Sequence, residues 1–335
     1  MSYAAAYTLY NYRLSSPSPS ITYSNLRLIR AFERGLDPAS SEAGFVLTHV
    51  DMVKHSPLLV RGAVSLLDSI SSNNHSGITE AFHNLLEALQ AIETSMEIMW
   101  THSKPKDYIS YRTFIFGITK QSMFPSGVIY EGHNAGEPVS FRGESGANDS
   151  MIPLLDHLLQ IPMPSNPLTD ILKDFRSYRP KPHREFLAYV RQRADELGVR
   201  EHCCKDASTA VLYLKVLEHV RSFRKSHPSP PTHQHVRCHR LTGHDHVGHR
   251  HWLFAREYII KRSSHPTATG GSPIVTWLPN QLLAVMDLMQ DVWEGLQSES
   301  ARAGAREIME NVADQRVKLD KEVARWCQER GLAAQ

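Results

Sequence analysis

The chain has 335 residues, enough for one large core or two smaller domains, and its 37 Lys+Arg stand against 35 Asp+Glu. That near balance excludes the strong field of a nucleic-acid or membrane-surface binder. Four cysteines without a CxxC pair exclude a disulfide framework and a Cys-type zinc site, and no run reaches the roughly eighteen apolar residues of a membrane span.

Residues 1–20 carry no charged-then-apolar leader and end in "SSPSPS", so they read as a flexible lead-in. "PLLVRGAVSLLDSI" starts a helix on Pro57, where a first turn tolerates proline. "ITEAFHNLLEALQAIETSMEIMW" keeps three-and-four spacing through Phe82, Leu85, Leu86, Leu89, Ile92, Met96 and Met99, with Ser76 as the expected N-cap. "NAGEPVSFRGESGANDS", residues 134–150, is a glycine-bearing loop. "NPLTDILKDFRSY" and "STAVLYLKVLEHVRSFRKSH" are two further helices, and "LPNQLLAVMDLMQDVWEGL" repeats the pattern from Leu282 to Leu296. No alternating runs are joined by an Asn-Gly or Asp-Gly turn, so the class is all-α.

Residues 228–250 break the pattern. They are rich in proline and histidine and interrupt what would otherwise be one helix from "VLEHVRSFRKSH" into "HWLFAREYII". Their histidines, with Cys238, could form a zinc module, but the irregular spacing favours a retained intron or a lineage-specific insert. "HPTATGGSP" is another loop, freed at Gly270 and Gly271.

Four segments in order, "GVIYEG…FRGESGANDSMIPLLDHLL", "FRSYRPKPHREFL", "HWLFAREYII" and "HPTATGGSPIVTWLPNQL", resemble the indoleamine 2,3-dioxygenase family, its fungal members most closely. The resemblance implies a helical large domain holding heme b. Its implied reaction inserts both atoms of O2 across the indole C2–C3 bond of L-tryptophan, giving N-formylkynurenine at the head of the kynurenine pathway. The implied layout is a catalytic unit over 21–300 containing the insert, a helical tail over 301–335, and a cytoplasmic monomer with no membrane or nucleic-acid partner.

The resemblance also distributes roles. The proximal iron ligand is a histidine followed seven residues later by tyrosine, which fits His251 and Tyr258. The family's arginine three residues before its ligand occurs instead at Arg224, ahead of His227, which is the competing ligand. Pro228 would end the helix at once after His227, and so favours His251. On the other face Phe45 would stack on the indole, and His49 would reach O2 or the indole N–H. Arg112 would clamp the carboxylate as a bidentate fork, with Tyr108 on the same helical face. Gly143 and Gly146 would let the backbone approach the porphyrin, Ser145 would hydrogen-bond to ligand or substrate, and Thr269 would belong to a closing loop. Asp156 would pair an arginine beside a propionate, with Arg224 as the candidate.

Two departures stand out. Asp107 replaces a family aromatic, and Asn148-Asp149 replaces Gln-Ser. The resemblance further implies a small N-terminal helical domain that is expected to be missing here, so impaired turnover is expected, and a heme-binding scaffold without activity is the alternative.

Overall fold

The computed structural model describes residues 8, 10–17, 20–115, 117–119, 123–143, 149–224, 257–258 and 274–329. Within it, β1 (Tyr12–Leu14) pairs antiparallel with β2 (Leu26–Leu28), setting Arg13 directly opposite Arg27. Part of the expected flexible lead-in is thus a strand. It is tied down because Leu26 and Leu28 bury their side chains against α1 (Ser41–Val53).

Among the described residues, apart from short 3-10 turns, π-helical residues at 8 and 257–258 and a Val128–Val139 bridge, the remaining regular structure is α-helical, as the spacing predicts. α2 (Ser56–Ser71) carries Pro57 in its first turn. α3 (His75–His102) is capped by Asn74, whose side chain accepts from the Gly77 N–H at 3.1 Å. The cap is therefore two residues before the expected Ser76, whose hydroxyl donates to Asn74 instead. Both residues can cap, and the one that is extended rather than helical does so.

α4 (Pro105–Ile115) and α5 (Met151–Leu158) follow. α6 (Pro167–Phe175) is capped by Asn166, and α7 (Lys181–Leu197) ends at Gly198, whose φ of +56° suits glycine. α8 (Val199–Lys205) leads to α9 (Ala207–Arg224), whose first turn is held by the Asp206 carboxylate accepting from the Thr209 N–H at 2.8 Å. α10 (Ile274–Gly295) begins four residues before Leu278, so Pro279 lies inside it and deletes one backbone donor near its start. α11 (Glu299–Glu329) covers the stretch expected to be a tail. It is integral to the core instead, burying Ala305, Met309, Val312 and Leu319 against α9 and α10.

Two apolar clusters result. The larger is built from α2, α3, α5 and α7 to α11, and within it Phe82 meets Tyr213 edge to face at 6.5 Å. The smaller joins β2, α1, α4, Met99 and Tyr258. No helix of the described residues is long and apolar enough to cross a membrane.

Candidate functional site

The smaller cluster holds Phe45 and Tyr108, with His49 against the first and Arg112 against the second. α1 crosses the end of α3 so closely that a Cβ on Gly44 would lie 2.0 Å from the His102 carbonyl oxygen. That contact fixes the α1 face bearing Phe45 and His49, one turn apart. The Phe45 ring lies 4.8 Å from His49, 5.1 Å from Tyr108 and 5.9 Å from Tyr111. Tyr108 and Tyr111 are perpendicular at 5.4 Å, and Tyr258 meets Tyr108 edge-on at 5.5 Å.

His49 is tied by Nδ1 to the Phe45 carbonyl at 2.7 Å, and burial lowers its pKa below the ordinary imidazole value. A carbonyl can only accept, so Nδ1 carries the proton and Nε2 keeps its lone pair. Arg112 is 2 % exposed. Burial lowers its pKa too, partly offset by Tyr108, whose hydroxyl accepts a hydrogen bond from the guanidinium. The phenols are held neutral: burial pushes Tyr258 up to about 12, and its hydroxyl donates to the Ser103 carbonyl at 2.6 Å. Tyr111 is raised as well and donates to the Ser41 carbonyl at 3.4 Å.

The two departures are accommodated. The Asp107 carboxylate accepts from Ser41 Oγ at 2.6 Å, and so binds α4 to the start of α1. Asp149 accepts from the Met151 N–H at 2.6 Å, at the positive end of α5, while Arg179 donates to its carbonyl at 3.1 Å.

A second group forms where α9 ends. Arg224 and Asp156 make an ion pair at 2.5 Å, with side chains 11 % and 12 % exposed, and Arg224 also donates to the Gln281 carbonyl. Burial pushes the Asp156 carboxyl up, against the pull of Arg224, Arg176 and Arg179. The same crowding holds Arg179 down to about 10, through burial first and Arg176 second. His157 falls to about 4, through burial and then Arg176, Arg191 and Arg179. Neither Arg176 nor Arg179 was singled out in the sequence, although "FRSYR" spaces them one turn apart on a motif already picked out.

Gly143 is held between two further parts. Its N–H lies 2.0 Å from where a Gly117 Cβ would be, and Ile118 and Thr119 donate to the Phe141 carbonyl. On the other side, the Arg142 N–H donates to the Tyr178 hydroxyl at 3.2 Å, and its guanidinium pairs with Asp174. Ser145, Gly146, His227, His251 and Thr269 lie outside the described residues, as does the His-rich stretch 228–250. Among the described residues no group of three or more His, Cys, Asp or Glu is placed to hold a metal ion.

A heme offers two anionic propionates and a flat apolar face. The guanidinium groups gathered about Asp156 suit the first, and the side-chain-free backbone at Gly143 suits the second.

These features define an all-α protein with a buried aromatic, histidine and arginine wall and a separate arginine-rich cluster. The chain belongs to the indoleamine 2,3-dioxygenase family, whose model matches residues 1–278, and so to a helical, heme-dependent family of dioxygenases. It is similar to a 6-hydroxytryptophan 2,3-dioxygenase of Fusarium equiseti, at 28 % identity over 44 % of this chain and 37 % of that one. With human indoleamine 2,3-dioxygenase 2 it shares 26 % identity over 53 % of this chain and 43 % of the relative. With the Saccharomyces cerevisiae indoleamine 2,3-dioxygenase it shares 25 %, over 61 % and 46 %. The matched stretch thus spans less than half the length of each of these relatives.

Proposed function

We propose that the chain is a heme dioxygenase that opens the indole C2–C3 bond of L-tryptophan or a related indole with O2, giving the N-formylkynurenine-type product. The catalytic unit runs from β1 through α11 and works as a cytoplasmic monomer, with residues 228–250 an insert. The observation that carries this reading is the convergence of Phe45, His49, Tyr108 and Arg112 from α1 and α4 in one cluster.

In this reading His251, with His227 as its rival, would hold heme b, which when bound would supply the activation of dioxygen. The chain supplies position and polarity. Phe45 gives the indole ring an aromatic face. Arg112, oriented by Tyr108, grips the substrate carboxylate with two parallel N–H donors. His49 keeps its proton on Nδ1 toward Phe45, so Nε2 is left to accept the indole N–H and orient the ring. Gly143, packed against Gly117, sets the backbone that leads toward Ser145 and Gly146. Those two residues and Thr269 keep the substrate-side roles that the family resemblance implies. Asp156 positions Arg224, which would hold a propionate.

Recombinant protein reconstituted with hemin tests this. A Soret band lost in His251→Ala but kept in His227→Ala supports the ligand assignment. N-formylkynurenine absorbance with ascorbate and methylene blue supports the reaction. Bound heme without product under excess reductant overturns the enzyme reading and leaves a heme-binding scaffold.

A further inference from the structure

The lead-in motif "SSPSPS" plays no part in the chemistry above, yet the structure gives its first residues a definite place. Ser15 Oγ and Ser16 Oγ both donate to Asn25 Oδ1, at 2.8 and 3.0 Å, and the Ser16 N–H does so at 2.9 Å. The Ser15 N–H also donates to the Asn25 carbonyl, which extends the β1–β2 ladder by one step. Arg13 and Arg27 sit directly opposite each other two residues back, so alternation puts them on the face that carries Ser15 and Asn25. Both serine hydroxyls reach the same amide oxygen, so Ser16 Oγ lies on that face too.

Two like charges directly across a ladder repel. Among the described residues neither arginine makes an ion pair, and Arg27 spends its guanidinium on the Ser24 and Leu26 carbonyls. The face therefore pairs two uncompensated cations with an exposed hydroxyl that has arginine three residues before it and proline directly after it.

We infer that Ser16 is a phosphorylation site and that Arg13 and Arg27 bind its phosphate. A proline-directed serine kinase supplies the group from ATP. The Ser16 Oγ–P bond forms as the bond from the γ-phosphorus to the bridging oxygen breaks, ADP leaves, and the hydroxyl proton passes to the kinase. Asn25 Oδ1 is an acceptor and repels the new oxygens, which turn along the strand to the guanidinium groups. A dianion there replaces repulsion with two charge-assisted contacts. The consequence reaches inward, because Leu26 and Leu28 on β2 pack in the same cluster as Val46, Leu47 and Tyr108. Phosphorylation tightens the ribbon that backs α1.

The full chain with phosphoserine installed at position 16 is followed by phosphorus NMR through a pH titration, folded and in urea. The expected result is a second phosphate pKa lowered by roughly 0.5 on folding, the size of an exposed charge contact. Arg13→Gln and Arg27→Gln together abolish that shift, although the variant stays folded by circular dichroism. In parallel, unmodified protein is treated with a proline-directed kinase and MgATP, and mass spectrometry locates the phosphate at Ser16. An unshifted pKa, a shift that survives loss of both arginines, or phosphate found at Ser15 or nowhere overturns the inference.

Discussion

His49 Nδ1 lies 2.7 Å from the carbonyl oxygen of Phe45, one turn back on the same helix. This bond and burial act in opposite directions on the pKa, and burial is the larger. The imidazole is thus neutral, with one defined tautomer. His49→Ala removes an acceptor for the indole N–H and lowers kcat/KM by roughly 10- to 100-fold, the range of one buried hydrogen bond. Steady-state assays check this, and an unchanged value in a heme-loaded variant rejects the assignment. Because the folded imidazole is depressed, the wild-type rate holds level from pH 8 to pH 6.5, where an ordinary histidine would already be gaining its proton.

Arg112 and Tyr108 act together in the next prediction. Tyr108→Phe deletes the acceptor that orients the guanidinium but keeps the ring packed on Phe45. Its KM for tryptophan rises by roughly 5- to 10-fold, about 1 kcal/mol. Arg112→Lys loses the bidentate fork and raises KM by roughly 100-fold or more. For tryptamine, which lacks the carboxylate, neither substitution changes KM. If the Arg112 variant loses tryptamine turnover equally, the carboxylate role fails.

Some of this architecture could be read from the chain and some could not, for physical reasons. α2, α3 and α9 are visible because a buried stripe at three-and-four spacing is a long-range repeat that outweighs local noise. β1 and β2 are three residues each, too short for alternation to register, and they exist because β2 buries leucines on α1. α11 is polar on most of its surface, and its sparse stripe from Ala305 to Leu319 is easily taken for a solvated tail. Within the site, Arg112 and Asp156 could be named from their motifs. The Arg176–Arg179 crowding depends on how α6 and α7 fold back toward α5, which spacing alone does not specify. Nor does sequence show that Gly117 touches Gly143.

That glycine contact makes its own prediction. Gly117→Ala puts a methyl carbon where the Gly143 nitrogen and the Arg142 carbonyl carbon already are, at 2.0 and 2.3 Å. Backbone, not a flexible side chain, must move. The variant loses about 1–3 kcal/mol of stability, and the loop start at 141–143 shifts. Chemical denaturation measures the first effect. A shifted Soret maximum in the hemin-loaded variant reports the second, and stability loss with an unshifted spectrum would separate Gly143 from the heme.

The last prediction concerns acid. His157 is held at about 4 by burial and by Arg176, Arg191 and Arg179, against 6.5 when unfolded. His49 is depressed in the same direction. A histidine whose folded pKa is lowered binds fewer protons folded than unfolded between the two values. Stability is therefore fully present above pH 6.5 and is lost as pH falls toward 4. Asp149 and Asp156, whose carboxyls are raised by burial, act with the opposite sign from the ordinary carboxylate range upward. Comparison of variants isolates the histidine. In His157→Gln the loss between pH 7 and pH 4.5 shrinks by roughly 1–2 kcal/mol, after discounting for partial solvent screening. Urea midpoints at the two pH values measure it. A variant whose acid loss equals that of the wild type would show that the imidazole accepts its proton without resistance from the three arginines.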